Sequence, residues 1–225
     1  LEFIAKFFPN VIANGQQFVE SIYQTLYMTA MSIVMAGVIG IIIGVILVVT
    51  EPGQMLENNA VYQVLDKIIN IFRSIPFIIL LALVTPLTRI IVGTSIGTTA
   101  AIVPLVLGCA PFYARQIQNA LADVDPGMVE AAEAMGLTPF DIIIHVYLKE
   151  GLSEIIRVSI VTIISLIGLT AMAGAVGAGG LGDIAITLGY NEFENDVTIA
   201  ATLIILVMVL IIQLVGDIFI RRTEH

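Results

Sequence analysis

The 225-residue chain is 58% hydrophobic and 12% charged, whereas soluble domains carry about 25% charged residues, so most of it belongs in lipid. Its net charge of −9 excludes the basic surface that nucleic acid attracts. A single cysteine, Cys109 in an apolar run, excludes an intrachain disulfide and reads as a small core residue, and two histidines, His145 and His225, do not make a metal site.

Residues 1–20 are aromatic and mixed in polarity, and read as an N-terminal interfacial segment lying along the bilayer. With two Glu residues and no long apolar region they do not resemble a cleavable signal peptide. The chain starts at Leu1 rather than Met, so the expectation is that a few N-terminal residues are missing or replaced by a cloning scar. A crossing helix needs about 20 apolar residues. Five stretches meet that need: Ser21–Thr50, Ile68–Thr88 (with Arg73 near its start), Ile90–Ala114, Val158–Gly182 and Val197–Gly216. The prediction is an all-α integral membrane protein with five transmembrane helices. Residues 21–220 form one transmembrane domain, followed by a short tail at 221–225.

Five crossings put the termini on opposite sides. Lys and Arg set the orientation, because cytoplasmic loops carry the excess. With the N-terminus outside, the inner side receives Lys67, Arg73, Arg115, Lys149, Arg157, Arg221 and Arg222, and the outer side only Lys6 and Arg89. The pattern predicts N-terminus outside, C-terminus cytoplasmic. The Asn191–Asp196 loop then faces outward and the acidic 123–154 loop inward.

Small residues recur at helix-packing spacing in Gly40-xxx-Gly44 and in Ala171-xxx-Ala175-xxx-Gly179. They suit close packing within one subunit or a seam between two. Pro76, Pro86, Pro104 and Pro111 are expected to bend or end the second and third spans, near a pathway, because irregular backbone at membrane depth must be buried or face a cavity.

The one long polar stretch has a detailed local pattern. Asp125-Pro126 reads as a helix cap followed by proline at the first helical position. The helix would run to about Met135, with Gly136 in the left-handed conformation after it. Thr138-Pro139-Phe140-Asp141 then starts a second helix, with Asp141 where a capping-box acid belongs. Coupling helices are thus expected at about 125–148. Small Ala131, Ala132 and Ala134 would let the first helix approach another backbone, and Glu130 offers a charge. The alternative is an ordinary interfacial helix.

Glu130-Ala131-Ala132 with Gly136 resembles the coupling loop of ABC-importer permeases, the membrane subunits driven by a separate ATPase. The ending departs from that family's pattern, since Val146-Tyr147-Leu148 is followed by Lys149 and not by proline. A closer resemblance, to bacterial methionine ABC-importer permeases, lies in Asn70–Leu81, Val92–Gly97, Ala100–Leu105, Ala110–Phe112 with Ala114-Arg115, and Gly174–Gly182, and covers roughly residues 20–220. The resemblance implies an ABC-importer permease in a bacterial cytoplasmic membrane, working as a homodimer with two copies of an ABC ATPase and an external substrate-binding lipoprotein. It assigns ATPase coupling to Glu130, Ala131, Ala132 and Gly136. Methionine is the expected substrate, with another amino acid or small polar solute as the alternative. No cofactor is expected in this chain, ATP and Mg residing on the partner, and no catalytic residue.

Met172, ahead of the glycine-rich stretch, is a candidate for lining or closing the pathway, since an unbranched thioether fills irregular constrictions; a packing role is the alternative. Gly177, Gly179 and Gly182 also match the dinucleotide fingerprint, but that needs a preceding strand and a following helix. An ATPase within this chain is excluded, because the P-loop requires Gly-Lys and Lys6, Lys67 and Lys149 follow Ala5, Asp66 and Leu148. An ion-coupled secondary transporter is the rival class, disfavoured by the absence of ionisable residues in mid-span.

Overall fold

A computed structural model describes residues 7–223; Lys6, used in the charge tally, and His225 lie outside them. Among the described residues every regular element is helical. Four helices are long and apolar enough to cross a membrane: Gly15–Thr50, Thr98–Ala122, Leu152–Ala178 and Asn195–Thr223. Residues 9–13 form a short helix, and Gly15–Glu20 already belong to the first long one.

The stretch Ile68–Thr88, read above as one span, is divided among three helices: Asn59–Ser74, Phe77–Leu83 and Thr85–Val92. Ile75 is extended (ψ 121°) ahead of Pro76, as the proline ring demands of its predecessor. Nor does Ile90–Ala114 form one helix. Gly93, left-handed at φ 85°, ends the preceding helix, and the next begins only at Thr98. Pro104 and Pro111 do not end that helix, which continues to Ala122.

The helices sort into two compact units. One comprises residues up to Val34, Pro76–Leu107 and Ile163–Gln213. Phe18, Leu181, Ile184, Val197, Ala201 and Met208 form an apolar cluster there. The helix Leu152–Ala173 gives way to a π turn over Gly174–Ala178, in which Val176 and Gly177 leave helical conformation. The next helix, Leu181–Ile184, has its leading N–H groups satisfied from elsewhere. Gly180 N–H donates to Gln24 Oε1 at 2.7 Å and Leu181 N–H to Thr25 Oγ1 at 2.9 Å. The N-terminal side is tied in by Asn10, whose backbone N–H and Nδ2 both donate to the Asp196 carboxylate at 3.0 Å.

The other unit comprises Met35–Ile75, Gly108–Thr162 and the chain from Leu214. Its core joins Val48, Tyr113, Ile117, Leu121, Ile142 and Tyr147. Gly40 and Gly44 seat their helix against Tyr113, Ala114 and Ile117 of the same chain. That small-residue stripe therefore serves packing within the subunit, the first of the two readings. The second stripe is not a continuous helical face, because regular helix stops at Ala173.

Candidate functional site

The polar stretch after Thr98–Ala122 folds into a capped helix, a tight turn and a second capped helix. Asp125 opens it, its carboxylate accepting from Gly127 N–H at 2.8 Å, and Pro126 occupies the first turn of the helix Pro126–Ala134. Gly136 ends it at φ 82°. Gly136 N–H donates to Glu133 O at 2.9 Å and Leu137 N–H to Ala132 O at 3.2 Å, the paired bonds of a Schellman turn, which closes on a left-handed residue best supplied by glycine. Leu137 turns back onto the core, as such turns favour.

The second helix, Pro139–Ile142, begins with a complete capping box. Asp141 N–H donates to Thr138 Oγ1 and Thr138 N–H to the Asp141 carboxylate, each at 3.3 Å. The helix continues as a π turn over Ile143–Tyr147 and one further turn, Leu148–Glu150. Gly151 then closes against Tyr147 O at 2.9 Å. The missing proline after Leu148 is thus accommodated by a tight junction with the following helix.

This element is fastened to its unit by one side. Val129, Ala132, Ile142, Val146 and Tyr147 are buried among Val48, Ile117 and Leu121. Tyr147 Oη donates to Gln54 Oε1 at 2.9 Å. Burial, helped by the Glu133 and Glu51 carboxylates, raises the Tyr147 phenol above its ordinary 10.0. The outward side carries Glu130, Ala131, Glu133, Ala134 and Gly136, all exposed. Of the four residues the motif singled out, Ala132 alone faces inward, at 2% exposure. Its small side chain is what lets the knob sit low on the core. Five acids, Asp123, Asp125, Glu130, Glu133 and Asp141, fall between Arg115 and Lys149 with no Lys or Arg among them.

Arg115 anchors the same unit through a group the sequence reading missed. Its guanidinium pairs with Asp66 and donates to Gln118 Oε1 at 2.6 Å. Asn70 Nδ2 donates to the other Asp66 oxygen at 3.0 Å. The available signal was the helical spacing of Tyr62, Leu65, Asp66 and Ile69, which places Asp66 on the inward face of Asn59–Ser74.

Met172 lies in the first unit, 43% exposed, at the last turn before the π segment. Its neighbour Ala173, with Val176 and Gly177, lines a small pocket that also receives Thr85, Thr88 and Ser95. Gly97 N–H donates to Gly177 O at 3.1 Å and fastens one wall of the pocket to another. In the dinucleotide-like string Gly177 lies within the π turn and Gly179 and Gly182 follow it, without the preceding strand that nucleotide binding needs.

The model of the binding-protein-dependent transport system inner membrane component family matches residues 36–225. The chain belongs to this family. It is 46% identical over 212 residues to the methionine import system permease of Bacillus subtilis, covering 94% of this chain and 95% of the relative. It is 43% identical over 179 residues to a probable D-methionine transport system permease of Vibrio cholerae, covering 80% of each. Among solved structures, an inward-facing MetNI methionine ABC transporter superposes with a TM-score of 0.93 at 45% identity, covering 95% of this chain and 99% of that one. The fold is therefore that of an ABC-importer permease, and the protein is an inner membrane component of a bacterial transporter of this family.

Proposed function

We propose that the chain forms the transmembrane pathway of an ATP-driven methionine importer, as one half of a homodimer engaging two ABC ATPases. The observation that carries this reading is the capped acidic knob at 125–142 within a chain that matches methionine permeases along nearly its whole length. The fragments Phe77–Leu83 and Thr85–Val92 together supply the fifth crossing, with the N-terminus outside and the C-terminus cytoplasmic. This orientation agrees with the positive-inside count and puts the knob where a cytoplasmic ATPase can reach it.

ATP and Mg are bound and ATP hydrolysed on the partner. Closure of the two ATPases moves the knobs, and the contacts of Val129, Ala132 and Ile142 with Ile117 and Leu121 carry that motion into the helix Thr98–Ala122. Glu130, Ala131 and Gly136 present the docking surface; Ala132 sets its height. An external binding lipoprotein delivers substrate to the outer side, and Met172 lines the pathway there. The test is uptake by a strain lacking this permease and complemented with the chain. Labelled methionine should accumulate and unlabelled methionine should compete more strongly than other amino acids. Equal competition by an unrelated amino acid would overturn the substrate assignment.

A further inference from the structure

Met135 and Phe140 stand on either side of the Gly136 turn at 73% and 70% exposure. Of the other apolar residues of this element, Val129, Ala132, Ile142 and Val146 are buried and Leu137 packs on the core, while Met128 and Ile144 are exposed only to 41% and 39%. Both lie outside the helices long enough to cross the bilayer. They are set in the run of five acids that holds no Lys or Arg. Two large apolar side chains flanking a tight turn, in a stretch whose charges are of one sign, have the form of an interface centre with a polar rim. An acidic rim is repelled by an anionic lipid surface and attracted by a basic protein surface.

We propose that Met135 and Phe140 are the apolar anchors by which the knob binds its ATPase, and that the receiving surface is an apolar groove with a basic rim. This rests on reading 125–142 as the coupling element. It adds which side chains hold the partner and what chemistry the partner presents. Aromatic anchors at the centre of an interface dominate affinity, and the charged rim sets salt dependence and partner choice.

The experiment measures ATPase binding to the full-length chain in nanodiscs. Phe140→Ala is expected to weaken binding about 30-fold and Met135→Ala by less, with Phe140→Leu retaining most of the affinity. Wild-type affinity should fall between about 0.1 M and 1 M salt, as the screening length drops from about 10 to 3 Å. Glu130→Gln with Glu133→Gln should flatten that dependence. Gly136→Val, run alongside, separates the two claims. Wild-type binding by both alanine variants with a defect in Gly136→Val would overturn the anchors and leave the coupling element standing. Wild-type binding by all three would overturn both. The chain contains no tryptophan, so Phe140→Trp gives a clean depth probe in the absence of the ATPase. Emission insensitive to brominated lipid is expected, and strong quenching would assign the residue to the membrane instead.

Discussion

Gly44 offers the sharpest test of how the knob's unit is packed. A Cβ built there falls 2.6 Å from both Cβ and Cγ2 of Ile117 and 2.8 Å from the Ala114 carbonyl oxygen. That is about 1 Å inside the ~3.5 Å at which non-bonded carbons rest. Ile117 is fully buried and cannot swing aside, and a backbone carbonyl has no rotamer. Gly44→Ala must therefore separate the helices Gly15–Thr50 and Thr98–Ala122, at a cost of about 1–3 kcal/mol for overpacking. For a chain of this length each kcal/mol lowers the melting temperature by roughly 2–4 °C, so a fall of roughly 2–12 °C is expected. Gly37, on the same helix, has nothing within 4 Å of its virtual Cβ. Gly37→Ala should be neutral, or stabilising by up to about 1 kcal/mol through helix propensity. The assay is built into the chain. Its one cysteine, Cys109, is 2% exposed, so a thiol-reactive fluorophore reports unfolding in detergent. A Gly44→Ala variant that melts with Gly37→Ala would refute the packing argument.

Gly136→Val places a β-branched residue at φ 82°, costing on the order of 1 kcal/mol or more and re-aiming the turn. At matched membrane levels it should insert normally yet lose ATPase pull-down and transport, and Glu130→Ala should be milder. Because the folded Tyr147 phenol titrates above 10.0, the unfolded chain loses that proton first. The group's contribution is then full below about pH 10 and declines as pH rises toward the folded value. Circular dichroism melts should show a smaller alkaline loss in Tyr147→Phe than in wild type, beneath a constant deficit of about 1 kcal/mol for the lost Gln54 bond. For Met172→Cys, with Cys109 replaced by Ala, crosslinking between the two subunits is expected in at least one nucleotide state; its absence in every state would point to a packing role.

The knob was legible because its signals are local. Asp125-Pro126, Gly136 and Thr138-Pro139-x-Asp141 each act within three residues of themselves, and a cap or a left-handed glycine needs no distant partner. The membrane segments were read less well where hydropathy alone was counted. Composition does not distinguish one long apolar helix from two short ones, so Ile68–Thr88 and Ile90–Ala114 were misdivided. Pro76 and Gly93 mark where backbone conformation overrode the apolar run. The inward turn of Ala132 follows from its spacing of three from Val129 once the core side of the helix is known, and the sequence does not say which side that is. The Arg115–Asp66 pair spans 49 residues, and nothing local to either residue announces the other. Likewise, Gly40 and Gly44 left packing and dimerisation open until Ile117 appeared opposite them.

The central claim is that this chain moves substrate only when an ATPase drives it. The direct measurement is methionine accumulation in proteoliposomes containing the purified chain, with and without its ATPase, an external binding protein and internal ATP. Accumulation should require the ATPase and ATP together, and should be absent for the chain alone under an imposed proton or sodium gradient. Accumulation by the chain alone under either gradient would contradict the account.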